Sequence, residues 1–175
     1  MRIAVSGTHC SGKTTLVEDF LQHHPEYLHE PEPYEWLTEA SAELTAAEVW
    51  QQLEISVQRL STHAPGSHVI AERSPLDFLA YLEALHSLGR EDTSDMLVFA
   101  RELARRGLDH VDLLVILPLN DDIEAPEDED SELREAMNRS LLEIVEDAGV
   151  RCVEIAGTPR ERLTALESEV PAERT

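Results

Sequence analysis

Eight residues near the start of the chain have the types and the spacing that bind phosphate groups. They read Gly7-Thr8-His9-Cys10-Ser11-Gly12-Lys13-Thr14, between the apolar run Ile3-Ala4-Val5 and a stretch with helical periodicity. The glycines let the backbone turn tightly, so that successive N–H groups and the positive end of a helix can face an anion. Lys13 would reach the β- and γ-phosphates of a triphosphate, and the Thr14 hydroxyl would reach Mg²⁺. With Thr15, these residues form the predicted triphosphate site.

A carboxylate and an arginine lie next to each other at the end of the third predicted strand. This strand ends in Glu72-Arg73, at the place where a phosphate-loop protein holds Mg²⁺ and can neutralise a transferred phosphate. Glu72, together with Thr14, is therefore a predicted magnesium ligand, and Arg73 and Lys13 are predicted catalytic residues. The alternative is that Glu72 and Arg73 form an ordinary surface ion pair after a strand.

The second predicted strand leads into a turn rich in acid and proline. Its residues are Glu30-Pro31-Glu32-Pro33-Tyr34-Glu35-Trp36, and either Glu30 or Glu32 could accept the proton of an attacking hydroxyl. A turn whose Trp36 simply packs on the core explains the stretch equally well. The spacing alone leaves open both this choice and which glutamate would be the base.

Two predicted helices carry polar residues that could approach the same site. Gln52 and Arg59 are seven residues apart on one helix, which puts them on one face. Gln52 could read an amide or base edge, and Arg59 could reach an acid near the reaction centre. Arg134 and Arg139 follow an acidic stretch and could close over a γ-phosphate. A solvated helix face, or pairing with neighbouring acids, would account for these four residues as simply.

The elements that would position these residues alternate between strand and helix. Apolar stretches predict strands at 2–6, 27–30, 68–72, 111–117 and 150–155. Between them we expect helices, one of which would end at Gly107 and one of which Ser131 would cap. This alternation predicts an α/β protein with a parallel sheet, whose ligand crevice lies outside the carboxyl ends of the strands. We expect one domain over residues 1–168, with a lid at about 120–140 and a frayed tail at 169–175.

Composition narrows the class of partner. The 175 residues carry a formal charge of −22, so we expect no nucleic-acid partner, which would be gripped through its phosphates by clustered Lys and Arg. There is neither an apolar run of about eighteen residues nor a charged and apolar leader, so we expect no membrane partner and a cytoplasmic location. Leu79, Leu82 and Phe99 could serve a homodimer interface as readily as the core, which leaves the oligomeric state open.

Together these residues resemble the P-loop small-molecule kinases, in particular the deoxynucleoside kinases and the ribosylnicotinamide-kinase-like AAA-type ATPases. The resemblance covers the first half of the chain and lies in Gly7 to Thr14, Glu32-Pro33 with Trp36 nearby, Gln52 with Arg59, and Glu72-Arg73-Ser74. It implies the three-layer P-loop NTPase fold, with five parallel strands in the order 2-3-1-4-5 and helices on both faces.

The resemblance also implies roles for these residues. Glu32 (or Glu30) would be the base for an acceptor hydroxyl, Gln52 would read the acceptor, and Glu72 with Arg73 would hold magnesium and phosphate. The run Pro75-Leu76-Asp77-Phe78-Leu79 after Ser74 looks more like the kinase-like ATPases than like true deoxynucleoside kinases. The predicted acceptor-binding residues are therefore Gln52, Arg59, Trp36 and Asp77.

The sequence thus predicts an enzyme that transfers the γ-phosphoryl group of ATP, with Mg²⁺, to a hydroxyl of a small nucleoside-like or related metabolite. A carboxylate base fits a neutral hydroxyl better than a phosphate acceptor, which favours a nucleoside over a nucleoside monophosphate. The alternative is an ATP-hydrolysing or nucleotide-binding regulatory P-loop protein without an acceptor. A GTPase is excluded because its Asn-Lys-x-Asp motif needs a lysine, and Lys13 is the only lysine in the chain.

Overall fold

The computed structural model describes residues 1–37, 44–119 and 130–171. Within these ranges strands and helices alternate along the chain. The strands are β1 (Arg2–Ser6), β2 (Leu28–Glu30), β3 (Val69–Glu72), β4 (Leu113–Ile116) and β5 (Cys152–Glu154). The helices are α1 (Lys13–His23), α2 (Ala46–Ser61), α3 (Pro75–Ser87), α4 (Ser94–Leu108), α5 (Ser131–Val145) and α6 (Pro159–Glu169). A short 3-10 helix, Pro33–Trp36, follows β2.

The strands form a parallel sheet in the order β2-β3-β1-β4-β5, which confirms the predicted order. β1 pairs with β3, where Val5 lies opposite Glu72, and with β4, where Ser6 lies opposite Ile116. Because the carboxyl ends of parallel strands meet at one edge, the segments after β1, β2 and β3 come together there. We call this side of the sheet the carboxyl edge.

Helices cover both faces of the sheet, and each face has its own apolar core. α2, α3, α4 and α5 contribute to one core, in which Leu53, Phe78 and Met137 are almost fully buried. α1 and α6 contribute to the other, around Phe20 and Leu166. β4 is apolar at every position because both of its faces are covered. These three layers confirm the predicted P-loop NTPase fold.

Two predicted helix boundaries are wrong. Gly107 lies inside α4 instead of ending it. A Cβ there would lie 2.6 Å from Cγ of Pro75 and 2.8 Å from Cγ2 of Val57, so the glycine lets α4 pack closely on its neighbours. Asp130 caps α5 in place of Ser131, since the Asp130 side chain accepts a backbone N–H of the first turn.

Of the three apolar residues predicted as a possible homodimer interface, two lie in the core and one lies on the surface. Leu79 and Leu82 are 4% and 0% exposed and belong to the core between the helices, so they do not serve an interface. Phe99 on α4 is 67% exposed. A homodimer therefore stays a prediction, and Phe99 is the residue of the three that is accessible to a second copy.

Several predictions fall outside what is described. Residues 120–129, which make up much of the predicted lid, and residues 172–175 of the predicted tail lie outside the described ranges. Of the helices that are described, none is both long enough and apolar enough to span a bilayer. The domain boundaries and the cytoplasmic location stay predictions.

Candidate functional site

The phosphate loop, residues 7–14, connects β1 to α1 at the carboxyl edge. Gly12 adopts a left-handed conformation with φ of 86° at the N-cap of α1, and Lys13 begins the helix. Nζ of the buried Lys13 donates to the carbonyl of Thr8 at 2.7 Å. Oγ1 of Thr8 and Oγ of Ser11 are buried without a hydrogen-bond partner. Because buried polar atoms rarely stay unpaired, this loop fits a ligand with several oxygen atoms, such as a phosphate group.

Two buried residues at the junction of β3 and α3 hold the first glycine of the loop. Oδ1 of Asp77 accepts the Gly7 N–H at 2.9 Å, and Nη1 of Arg73 donates to the Gly7 carbonyl at 3.3 Å. Oδ2 of Asp77 accepts the N–H and the hydroxyl of Ser74, in a capping box at the start of α3. Asp77 is 0% exposed, so its carboxylate serves donors of the chain itself. The contact of Asp77 with an acceptor stays a prediction.

The two predicted magnesium ligands lie side by side. Oγ1 of Thr14 donates to Oε2 of Glu72 at 2.8 Å, and Oε1 of Glu72 lies 2.9 Å from Nε2 of His29 on β2. Hydroxyl and carboxylate oxygens suit Mg²⁺, which keeps most of its coordination shell for water and phosphate oxygens. Across residues 1–37, 44–119 and 130–171 there is no cluster of three or more His, Cys, Asp or Glu side chains suited to a metal. Thr14 and Glu72 thus fit a magnesium ion that also has a triphosphate to bind.

Glu32 lies between two cations at the side of the loop. Oε2 of Glu32 is 3.2 Å from Nε of Arg73, and Oε1 is 3.9 Å from Nζ of Lys13. Burial acts to raise the pKa of Glu32, but the charges of Arg73 and Lys13 outweigh it and hold the pKa below its ordinary value. Burial, together with the charge of Arg73, lowers the pKa of Lys13 to about 8. Glu32 is therefore an ionised carboxylate beside the phosphate loop.

Glu30 has different surroundings from Glu32. Nε and Nη2 of Arg59 donate to its two oxygens at 2.6 and 3.0 Å, and Nε2 of His63 lies 2.8 Å from Oε1. The Arg59 guanidinium also lies 4.0 Å from the centre of the Trp36 ring. Arg59 thus reaches an acid, as the sequence predicts, but it occupies both oxygens of Glu30 and covers Trp36.

A cavity of about 720 Å³ opens beside the phosphate loop. Glu32, Arg73 and Arg134 line it on the loop side, and Gln52 lines it from α2. Its apolar and aromatic walls include Tyr34, Val49, Phe78, Tyr81 and Leu85. Neither Glu30, Arg59 nor Trp36 belongs to this lining. The volume is in the range of cavities that hold a drug-sized molecule.

α5 brings one of its two predicted arginines to the loop. Nε of Arg134 donates to the carbonyl of His9 at 3.0 Å, and Nη2 donates to that of Cys10 at 3.4 Å. Arg139 is exposed and does not line the cavity. Five residues along a helix turn it by about 140° from Arg134. Arg134 is thus the arginine of the two that contacts the loop, and the closure of both over a phosphate stays a prediction.

Arg162 of α6 is a residue of the site that sequence reasoning missed. Its Nη1 donates to the carbonyl of Ser11 at 2.6 Å, its Nε donates to that of Gly157 at 2.8 Å, and it is 4% exposed. It therefore ties the phosphate loop to the segment that follows β5. Its position in the sequence could have indicated this role. Arg162 lies in the first turn of the helix that follows the last strand, and that helix begins at the carboxyl edge.

The fold and the loop define a protein of the P-loop NTPase class. The chain matches a family described as an AAA domain over residues 2–162, and it belongs to this family, AAA_28. No curated protein matches the chain.

Solved structures of kinases share this fold. Deoxyadenosine kinase from M. mycoides with bound dATP is 14% identical, with a TM-score of 0.72 over 97% of this chain and 98% of that chain. Thymidylate kinase from Candida albicans is 18% identical, with a TM-score of 0.67 over 95% of this chain and 89% of that chain. The chain thus has the fold of nucleoside and nucleotide kinases over nearly its whole length.

Proposed function

We propose that the protein is an ATP-dependent phosphotransferase that moves the γ-phosphoryl group to a hydroxyl of a small nucleoside-like metabolite. The observation that carries this proposal is the place of Glu32. Its carboxylate lines the cavity, next to Lys13 and Arg73. A protein that only binds a nucleotide needs no carboxylate there, and a hydrolase needs no cavity of about 720 Å³ for an acceptor.

On the nucleotide side, the chain supplies positive charge and oxygen ligands. Lys13 and Arg73 would balance the charge of the γ-phosphoryl group during transfer. Thr14 and Glu72 would hold Mg²⁺, which would neutralise negative charge on the phosphates of the nucleotide. Arg134 donates to carbonyls of the loop in this structure. With a nucleotide bound, it would donate to phosphate oxygens instead.

On the acceptor side, Glu32 would act as the general base. It would take the hydroxyl proton as the acceptor oxygen attacks the γ-phosphorus, and the bond to the bridging oxygen would break to release ADP. The lowered pKa of Glu32 keeps it in the basic form that this step needs. The roles of Glu30 and Glu32 therefore differ, and we assign the base to Glu32.

The lining of the cavity supports a neutral, planar acceptor. The ionised Glu32 would repel an acceptor phosphate at its side of the cavity. Gln52 offers both a donor and an acceptor, and Phe78 and Tyr81 offer aromatic rings to a planar group. The named kinases that share the fold are kinases of deoxyadenosine and of thymidylate, which supports an acceptor with a nucleobase.

A panel of nucleosides, nucleoside monophosphates and pyridine ribosides, each tested for acceptor-dependent release of ADP, tests this proposal. We expect one or more neutral nucleosides to raise ADP release above the rate with ATP alone, and we expect the phosphorylated product to form in equal amount. ATP hydrolysis that no member of the panel stimulates would instead favour a regulatory ATPase. Binding of ATP without turnover would favour a nucleotide-binding module.

A further inference from the structure

One side chain, Arg59, contacts both ends of the turn that carries Glu32. At one end its guanidinium donates two hydrogen bonds to Glu30, two residues before Glu32. At the other end it lies 4.0 Å from the centre of the ring of Trp36, four residues after Glu32. His63, one turn further along the chain than Arg59, also contacts Glu30 at 2.8 Å. We call Arg59, Glu30, His63 and Trp36 the Arg59 cluster.

Apart from Arg59, the turn is held by the ion pair of Glu32 with Arg73 and by the burial of Pro33. It follows β2, which has three residues and lies at the edge of the sheet, so few backbone hydrogen bonds anchor its start. Pro31 and Pro33 restrict φ on either side of Glu32, which stiffens the turn but does not fix its direction. Contacts from α2 at both ends of the turn therefore act together with the Arg73 ion pair to set where the Glu32 carboxylate lies.

The chemistry of the cluster requires an arginine. The planar guanidinium donates from two nitrogens to a carboxylate and at the same time offers a flat face to an aromatic ring. The ammonium of a lysine cannot make both contacts together. Glu30 is 5% exposed and the Arg59 side chain is 39% exposed, and an ion pair gives little net stability when the carboxylate loses its hydration on burial. The pair therefore contributes mainly a defined geometry.

We propose that Arg59 is a positioning residue for Glu32, which it holds beside Lys13 and Arg73 by fastening both ends of the turn to α2. Gln52 lies two turns earlier on the same helix and lines the cavity. One rigid helix thus sets both the wall that would contact the acceptor and the base that would deprotonate it. This inference rests on the proposed role of Glu32, so its test includes a measurement that needs no acceptor.

Trp36 is a reporter within the cluster. The chain has two tryptophans, Trp36 and Trp50, so a Trp50→Phe background leaves a single fluorophore in contact with Arg59. In this background we expect Arg59→Lys to raise the acrylamide quenching of Trp36 and to shift its emission. Gln58→Ala, an exposed neighbour on α2, is the matched control and should leave both unchanged. Glu30→Gln, which keeps the shape of the side chain, is a second variant that should also raise the quenching.

Kinetics separate positioning from a merely structural role. With the best acceptor of the panel, we expect Arg59→Lys to lower kcat by about tenfold or more, as displacement of a catalytic group does. The KM for ATP and the rate of ADP release without acceptor should equal those of Gln58→Ala. A structural role alone would lower the amount of folded enzyme, and so would scale all of these rates together.

The outcomes decide the proposal. Raised quenching with a lower kcat and an unchanged KM for ATP supports it. Quenching equal to that of Gln58→Ala, or raised quenching with an unchanged kcat, overturns it. Failure of the proposed function would be seen in a different measurement: no acceptor would raise ADP release by the wild-type protein. In that case the quenching of Arg59→Lys still decides whether Arg59 fastens the turn.

Discussion

The two halves of the candidate site are held by the fold in different ways. Side chains from three separate elements bind the backbone of the phosphate loop: Asp77 at the start of α3, Arg134 on α5 and Arg162 on α6. The turn that carries Glu32 is held chiefly by α2 and by the contact of Glu32 with Arg73. The nucleotide side thus has several independent supports, whereas the acceptor side depends on a few contacts.

The two halves of the site also differ in the solvent exposure of their side chains. Lys13 is 4% exposed and Ser11 is 0% exposed, while Trp36 and Tyr34 on the acceptor side are 37% and 54% exposed. Buried side chains such as these present fixed donors to a ligand that is the same in every cycle, as a triphosphate would be. An open, lightly held turn suits the side where an acceptor must enter. Variants in the two halves should therefore fail in different steps.

Lys13→Ala on the nucleotide side should have the broadest effect, because it should remove both ATP binding and turnover. Lys13 is the only lysine in the chain, so no other ammonium can take its place at the phosphates. We expect ATP-dependent turnover to fall by about 100-fold or more, with loss of ATP–Mg²⁺ binding by titration calorimetry. Arg160→Ala, at an exposed position, is the control. Undiminished ATP affinity in Lys13→Ala would refute the phosphate-loop assignment.

On the acceptor side, Glu32→Gln should abolish the base and leave nucleotide binding intact. General bases contribute about 100- to 10,000-fold, so we expect a loss in that range in the acceptor-dependent rate. The ATP affinity should stay near that of the wild type. Glu30→Gln should lower the acceptor-dependent rate by less, because Glu30 affects the reaction only through the position of the turn. A larger loss in Glu30→Gln than in Glu32→Gln would reverse the assignment of the base.

Arg162→Gln should weaken the support of the phosphate loop from α6. It removes a buried donor to the Ser11 carbonyl, and displacement of a binding group costs about 10- to 100-fold. We expect the KM for ATP to rise while the KM for the acceptor stays constant. Arg160→Gln on the same helix controls for the loss of charge. Equal kinetics in the two variants would show that the loop is held without Arg162.

The smallest effect concerns the pH dependence of ATP binding. Burial lowers the pKa of Lys13 to about 8 in the free protein, so the ammonium that attracts phosphate is present below pH 8 and is lost above it. We expect the Kd for ATP to be constant at lower pH and to rise by about five- to sixfold between pH 8 and 9, because the charged fraction of Lys13 falls from about one half to about one tenth over that unit. A Kd that stays flat to pH 10 would contradict this.

The contiguous parts of the site could be predicted from the sequence. The phosphate loop depends on glycines and donors within eight neighbouring residues, so its local backbone preferences are enough to define it. Glu72 and Arg73 were predicted for a similar reason, because they lie at the end of an apolar strand. The alternation of strands and helices predicts the parallel sheet, and the resemblance to P-loop kinases supplied the strand order.

The tertiary structure decided which residues meet across the chain. Glu30 and Glu32 have the same chemistry and nearly the same place in the sequence, and only the positions of Arg59 and Arg73 tell them apart. Arg162 reaches the loop from 151 residues away, and no spacing rule covers such a distance. The phosphate loop is thus a local property of the chain, whereas the identity of the proposed base depends on which helix each glutamate meets.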